Sequence, residues 1–230
     1  MKQLVFNEEM SYHGAPGAGG AGISMLGPTL MLYGSEEQKR EHLPRLARAE
    51  VEWCQGYSEP GSGSDLASLH TRAVEDGDDY IVHGAKIWTS GAQRADWIFF
   101  LARSDSNAPK HRGISFFLAD MKSPGITVRP IRNMAGIQGF NETVFENVRV
   151  SRRNLVGEKN RGWYYGATLL DFERSGVQRP ARARRVLKDL VALAKERRPN
   201  GAPLAKDPVF RNRLGAMAAE IDACRLMCYR

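Results

Sequence analysis

The chain has 230 residues, 42% of them apolar and 26% charged, a globular balance and a length sufficient for one large domain or two small ones with real cores. No run approaches the roughly 18 to 20 apolar residues that cross a bilayer, and Met1-Lys2-Gln3-Leu4-Val5-Phe6 leads into Asn7-Glu8-Glu9 without an apolar signal core, so no membrane span is expected and a cytoplasmic location is. The formal charge is +7, with basic residues gathered at Arg149, Arg152 and Arg153 and at Arg179, Arg182, Arg184 and Arg185. No helix-turn-helix, zinc-finger or RNP pattern accompanies them, which leaves a solvated basic face or a polyanionic ligand and argues against nucleic acid.

Residues 1–50 read as helical. Leu4, Val5, Glu8, Glu9 and Met10 suit one short helix, and the Gly-rich stretch His13 to Gly22 breaks regular structure. Ile23 to Tyr33 is an apolar run of helical length with Gly27-Pro28 inside it. Ser35 with Gln38 three residues on has the form of a capping box opening a further helix through Leu43 and Leu46. Residues 51–157 change character. Short β-rich runs lie at Tyr80 to Val82, Trp97 to Leu101, Ile114 to Leu118, Ile126 to Val128 and Thr143 to Phe145, separated by turn signals such as Asp76-Gly77-Asp78. Strands at this spacing predict a small barrel or sandwich. Residues 158–230 read as helical again: Trp163 to Asp171 begins one helix, Arg182 to Arg197 is amphipathic, Pro199-Asn200-Gly201 breaks it, and Arg211 to Arg230 is a further helix.

The three cysteines, Cys54, Cys224 and Cys228, are odd in number and widely spaced, so no disulfide framework is expected. Cys224 and Cys228 have helical i, i+4 spacing but no histidine nearby, which predicts packing and no metal site.

Two segments carry chemistry. Trp53-Cys54-Gln55-Gly56-Tyr57-Ser58-Glu59-Pro60-Gly61-Ser62-Gly63-Ser64-Asp65 reads as a short strand ending in a Gly/Ser-rich loop. Glycines let a backbone approach a flat ligand, and N–H and hydroxyl groups can bond its polar edge. It is neither a Walker loop nor a dinucleotide-binding fingerprint, and by itself it is equally a surface loop. Gly84-Ala85-Lys86-Ile87-Trp88-Thr89-Ser90-Gly91 follows. Its Trp88 is either a flat apolar wall with one N–H handle or a filler of the β-domain core.

Taken in order, these segments resemble the acyl-CoA dehydrogenase family. Ser58 to Asp65 resembles its T/S-E-P-x-x-G-S-D signature, and Gly84 to Gly91 its G-x-K-x-W-x-T/S-x-G. Tyr33 to Lys39 with Leu43-Pro44, Arg112 to Leu118, and Val144 to Val150 with Asn154 to Gly157 resemble further family segments. The resemblance implies an α+β multi-domain architecture: a helical N-terminal part over 1–50, a central β-barrel domain over 51–157 and a helical C-terminal part over 158–230. It implies FAD as cofactor, faced by Gln55, Tyr57, Ser58, Gly63, Ser64, Trp88, Thr89 and Ser90, with the Ser90 hydroxyl near flavin N5. It also implies an acyl-CoA substrate met by Ser64, Asp171 and Arg174, whose CoA phosphates would suit the positive charge. An electron-transferring flavoprotein would be the electron acceptor, and a homo- or hetero-oligomer the working assembly.

The family reaction removes an α-proton with a carboxylate while hydride leaves the β-carbon for the flavin. In a minority of members, resembling isovaleryl-CoA and long-chain enzymes, this Glu sits on the first helix after the barrel, just before an Arg. Leu170-Asp171-Phe172-Glu173-Arg174 matches that form, which makes Glu173 the candidate base; a solvent-facing Glu paired with an Arg is the plain alternative. Two departures stand out. Arg197 to Leu204 lacks the Arg-x-x-Phe-Gly that holds the adenosine half of FAD in most members, and Gly139-Phe140-Asn141-Glu142-Thr143 replaces the commoner Ser-x-Thr, a variant resembling branches that act on bulky acyl groups, including steroid side chains. Arg230 falls within a helix with no cap signal, so the chain reads as partial. An oxidase of the same superfamily and a non-catalytic partner subunit remain open alternatives.

Overall fold

The β-rich middle of the sequence forms eight strands of one mixed sheet in the computed structural model of the chain, which describes residues 2–17, 20–174, 176–196 and 201–230. In chain order come α1 (Lys2–Tyr12), a π-turn (Gly22–Leu26) running into α2 (Gly27–Tyr33), α3 (Glu36–Ala47), β1 (Trp53–Gly56), β2 (Arg72–Asp76), β3 (Asp79–Lys86), β4 (Trp97–Arg103), β5 (Ile114–Asp120), β6 (Ile126–Ile131), β7 (Phe140–Ser151), β8 (Leu155–Val156), α4 (Gly162–Arg174), α5 (Gln178–Lys195) and α6 (Pro208–Tyr229). They fall into two compact units, Ala18–Glu173 and Met1–Gly17 with Arg174–Arg230.

In the larger unit the strand order is β6-β7-β3-β2-β4-β5-β8, with β1 laid parallel on β4. Residues of β4 and β5 alternate between two cores. Phe99, Leu101, Phe116 and Leu118 pack with Leu26, Leu30, Leu46, Tyr165 and Leu169 from the helices. Ile98, Phe100, Ala102 and Phe117 pack instead with Tyr80, Val82, Phe145 and Val148. Burial on both faces is why these strands read as continuous apolar runs. The closed barrel expected from strand spacing is not formed: the path ends at β6 and β8 among the described residues. Helices cover one apolar face of the sheet, and β8 has two residues that pair with β5 alone, so no further strand closes the ring.

Local chemistry sets the helices of this unit. Pro28 does not break the apolar run; it lies at the start of α2, where its missing N–H costs nothing. The turn before it widens so that the Gly27 N–H donates to the Gly22 carbonyl. The capping box forms as expected: the Gln38 N–H donates to Ser35 Oγ at 3.1 Å, and the Ser35 N–H to Gln38 Oε1 at 3.0 Å. The Gln38 amide also donates to the carbonyls of Arg153 and Leu155 at 2.6 and 2.9 Å, fastening α3 to the end of the sheet. Further along α3, His42 is buried edge-on against the stacked rings of Trp53 and Trp97.

Helix α4 docks through glycines. Gly162, Tyr165, Gly166 and Leu169 are buried at helical spacing. A Cβ at Gly162 would overlap the backbone at Ser115 and Phe116, whereas one at Gly166 would meet side-chain tips, Leu101 Cδ1 at 3.1 Å and the Tyr57 hydroxyl at 3.2 Å.

The second unit is helical. Buried Glu8 on α1 accepts from Arg184 on α5 at 3.2 Å and from Arg225 and Tyr229 on α6. Helix α5 starts at Gln178, before the expected Arg182, because Pro180 is tolerated in a first turn. Helix α6 likewise starts before Arg211, capped by the Asp207 carboxylate, which accepts from the Val209 and Phe210 N–H groups. Of the expected break, Pro199 and Asn200 lie outside the described residues, as does the first half, 197–200, of the Arg197 to Leu204 stretch. No helix among the described residues is long and apolar enough to cross a membrane.

Gly162→Ala is expected to lose about 1–3 kcal/mol in urea denaturation, and more than Gly166→Ala, because backbone yields less than side-chain tips. His42 has no partner on either ring nitrogen, and burial pushes its pKa below the ordinary histidine value despite the nearby Glu41 charge. The unfolded chain therefore binds more protons once pH drops below about 6.5. Stability should be complete above that pH and decline below it, and His42→Phe should remove that part of the decline in melts recorded between pH 7.5 and 5.

Candidate functional site

Strand β1 delivers the chain into the Ser58–Asp65 loop beside β4. There Glu59 and Ser62 exchange backbone hydrogen bonds of 2.8 and 3.0 Å, closing a tight turn. The Glu59 side chain points inward and is 5% exposed. Its carboxylate accepts from Lys86 Nζ at 2.7 Å, from the His70 N–H at 2.6 Å and from the Thr71 N–H at 2.9 Å. Lys86, the last residue of β3, is fully buried and also donates to the Tyr57 carbonyl at 3.3 Å. Burial pushes the Lys86 ammonium down to about 8, against the attraction of Glu59. Burial alone would raise the Glu59 carboxyl, but the Lys86 charge and the bonds it accepts outweigh it and hold the group below the ordinary carboxylate range. The two are thus an ion pair at neutral pH. Removing one partner of such a pair costs about 3–5 kcal/mol, because the other is left buried and uncompensated.

The second motif continues directly from Lys86. The Ile87 N–H donates to the Ser58 carbonyl at 2.8 Å, joining the two loops. Trp88 follows at φ +59°, a conformation that costs a bulky residue about 1–3 kcal/mol. The residue is 56% exposed, and its ring stands edge-on to Phe140. The next residues are clipped to the start of β7. The Thr89 N–H donates to the Asn141 carbonyl, Asn141 Nδ2 donates back to the Thr89 carbonyl, both at 2.9 Å, and the Gly91 N–H donates to the Gly139 carbonyl. The Asn141 that marks the departure from Ser-x-Thr is therefore the bracket of the Trp88 loop. Thr89 Oγ1, Asn141 Oδ1 and Thr143 Oγ1 are buried without a hydrogen-bond partner.

Of the cofactor-facing residues expected from sequence, Gly63, Ser64, Trp88 and Ser90 are exposed, Gln55 and Ser58 are half-buried, and Thr89 is buried. The Tyr57 ring belongs to the core, edge-on to Phe99 and Phe116, and its hydroxyl has no partner. Burial raises the Tyr57 pKa well above the ordinary value, and the negative charge of Glu173 adds to the rise. Glu173 thus lies within electrostatic reach of the strand that feeds the first loop. Helical spacing agrees, because 162, 166, 169 and 173 run down one face of α4. Asp171, Glu173 and Arg174 are exposed at the end of that helix.

An exposed indole held at a strained φ, glycines at 61 and 63 where a Cβ would meet nothing, and exposed hydroxyls at Ser64 and Ser90 fit a flat ligand with a polar edge, the shape of an isoalloxazine. No group of His, Cys, Asp and Glu among the described residues could hold a metal. The apolar groove of about 720 Å³ in the helical unit, floored by Val186, Leu187, Leu190, Met217 and Ile221, contains none of these residues. The Glu59–Lys86 pair and the Asn141 bracket escaped the motif reading. Strand parity signals the pair: Tyr80, Val82 and Lys86 share one face of β3, and the first two are buried.

Residues 1–50, 54–148 and 160–230 match the N-terminal, middle and C-terminal domain models of acyl-CoA dehydrogenases. Acyl-CoA dehydrogenase IpdE1 of Mycobacterium tuberculosis is 39% identical over 215 residues, covering 92% of this chain and 54% of the relative. The solved steroid ACAD Tcur3481-Tcur3483 superposes with a TM-score of 0.87 at 39% identity, over 99% of this chain and 58% of that one. The ChsE4-ChsE5 complex from Mycobacterium tuberculosis does so with a TM-score of 0.87 at 36% identity, over 99% and 59%. The chain spans about half the length of the curated relatives it matches. With all three domain models of one family in their proper order, the chain belongs to the acyl-CoA dehydrogenase family.

Proposed function

We propose that this chain is the flavin- and thioester-facing part of an FAD-dependent enzyme that introduces an α,β double bond into an acyl-CoA. The observation that carries the reading is the meeting of the two signature loops: Ile87 is bonded to Ser58, the exposed Trp88 stands beside them, and Glu173 lies within electrostatic reach through Tyr57. FAD, when bound, supplies the hydride acceptor. The chain's residues supply the rest. Trp88 would form an apolar wall, and Gln55, Ser58, Gly63 and Ser90 would offer polar contacts along the ring edge, while Thr89, expected from sequence to face the cofactor, is buried and bonded to Asn141 and would hold the loop instead. Ser64 would meet the CoA portion, and Asp171 and Arg174 are the candidates for the acyl group. Glu173 would take the α-proton onto its carboxylate as general base. The missing Phe-Gly leaves the adenosine half of FAD to other residues.

The likeness to the solved steroid ACAD and to the ChsE4-ChsE5 complex supports a bulky acyl substrate and a hetero-oligomer. It also favours a second reading, in which this chain is the non-catalytic subunit of such an assembly. An electron-transferring flavoprotein is the proposed acceptor; an oxidase would pass its electrons to oxygen, and aerobic against anaerobic reoxidation separates the two.

The test is the visible spectrum of the purified chain, followed by anaerobic addition of acyl-CoA esters that include a steroid side-chain thioester. The flavin band should bleach, and Glu173→Gln should slow bleaching by about 10²- to 10⁴-fold, the usual contribution of a general base. Bleaching at an unchanged rate in Glu173→Gln would place the base elsewhere. A yellow protein that no ester bleaches would support the subunit reading.

A further inference from the structure

We propose that Glu59 and Lys86 are positioning residues: together they set the spacing between the Ser58–Asp65 and Ile87–Gly91 loops, and the affinity of the site for its flat ligand depends on that spacing although neither side chain reaches the surface. That the ligand is a flavin rests on the function proposed above; the spacing role does not.

The pair is the point at which four segments of chain meet. Glu59 is in the first loop and Lys86 immediately precedes the second. The Glu59 carboxylate also takes the N–H groups of His70 and Thr71, ahead of β2, and Lys86 reaches the Tyr57 carbonyl at the end of β1. Sheet ladders do not supply this connection, because β1 pairs with β4, whereas β3 pairs with β2 and β7. Apart from the pair, one bond joins the loops directly, from the Ile87 N–H to the Ser58 carbonyl. The surroundings make room for the lysine stem. A Cβ on Gly56 would come within 2.8 Å of Ile98 Cδ1 and 3.2 Å of Lys86 Cγ. Buried pairs are seldom the most stable solution, since apolar residues of similar volume often do better, and their best-attested use is to fix one register among several. Here the register is that of the loops presenting Ser58, Trp88 and Ser90.

The full chain is compared with Glu59→Gln, Lys86→Met and, as a stability control, Val82→Ala in the buried part of β3. Glu59→Gln keeps size and shape, so it remains informative should Lys86→Met not fold. Two quantities are read: hydrogen exchange at the Ser62 and Ile87 amides, one in each loop, and FAD affinity by quenching of flavin fluorescence. Both pair variants should exchange faster in the two loops while β4 and β5 stay protected, and should bind FAD at least tenfold more weakly. Val82→Ala should leave loop exchange and FAD affinity at wild-type values whatever it does to the melting temperature. Pair variants with wild-type loop exchange, or with loosened loops and an FAD affinity within twofold of wild type, would overturn the proposal. A wild-type chain that takes up no FAD would remove the cofactor reading instead. Loop exchange alone would then decide the positioning role, upheld by faster exchange in the pair variants and overturned by none.

Discussion

An ammonium and a carboxylate cut off from water hold the two most informative loops of this chain together. Each charge carries a large desolvation cost, met by its partner and by neighbouring backbone groups: Glu59 accepts from Lys86, His70 and Thr71, and Lys86 donates also to Tyr57. A polar network of this kind tolerates few alternative arrangements, because any shift leaves a buried group unpaired. The loops above it inherit that rigidity. Beside it, with the Asn141 bonds to Thr89 on its other side, Trp88 is kept at a positive φ and exposed, a strained state that persists only where its surroundings dictate it.

The sheet and α4 depend on a different constraint, close approach. Strands β4 and β5 bury both faces, one under helices and one under the rest of the sheet. Gly162 and Gly166 let α4 lie directly on that surface. A helix so close has little freedom to turn about its axis, so residue 173, eleven positions beyond Gly162, falls on the same side. A feature as bland as two glycines four residues apart thereby sets where the candidate base stands. The Asn141 bracket does comparable work at the other edge of the site, exchanging hydrogen bonds with Thr89.

Much of this was legible from residues alone. The strands at Trp97, Ile114 and Thr143, the capping box at Ser35 and the amphipathic helix after Arg182 all follow from local pattern and appear in place. The early start of α6 was readable in principle, since Asp207 before Pro208 is an ordinary helix opening. The barrel was not decided by local pattern. Strand spacing is the same whether a sheet closes on itself or is covered by helices, and closure depends on which edges meet. The buried pair was hidden because a motif is read residue by residue, whereas Glu59 and Lys86 acquire their meaning from each other across 27 positions.

The sequence by itself determined the family, the order of helices and strands, and the residue types of the two signature loops. These depend on short-range periodicity, capping chemistry and contiguous signatures, all encoded within a few neighbouring residues. Only the tertiary structure decided that the sheet stays open, that Tyr57 belongs to the core while Trp88 faces solvent, and that a glutamate and a lysine within the signatures form one buried pair. Those outcomes depend on desolvation and close packing between segments far apart in the chain, where the cost of burying a charge or adding a single Cβ is set by what the fold brings opposite it.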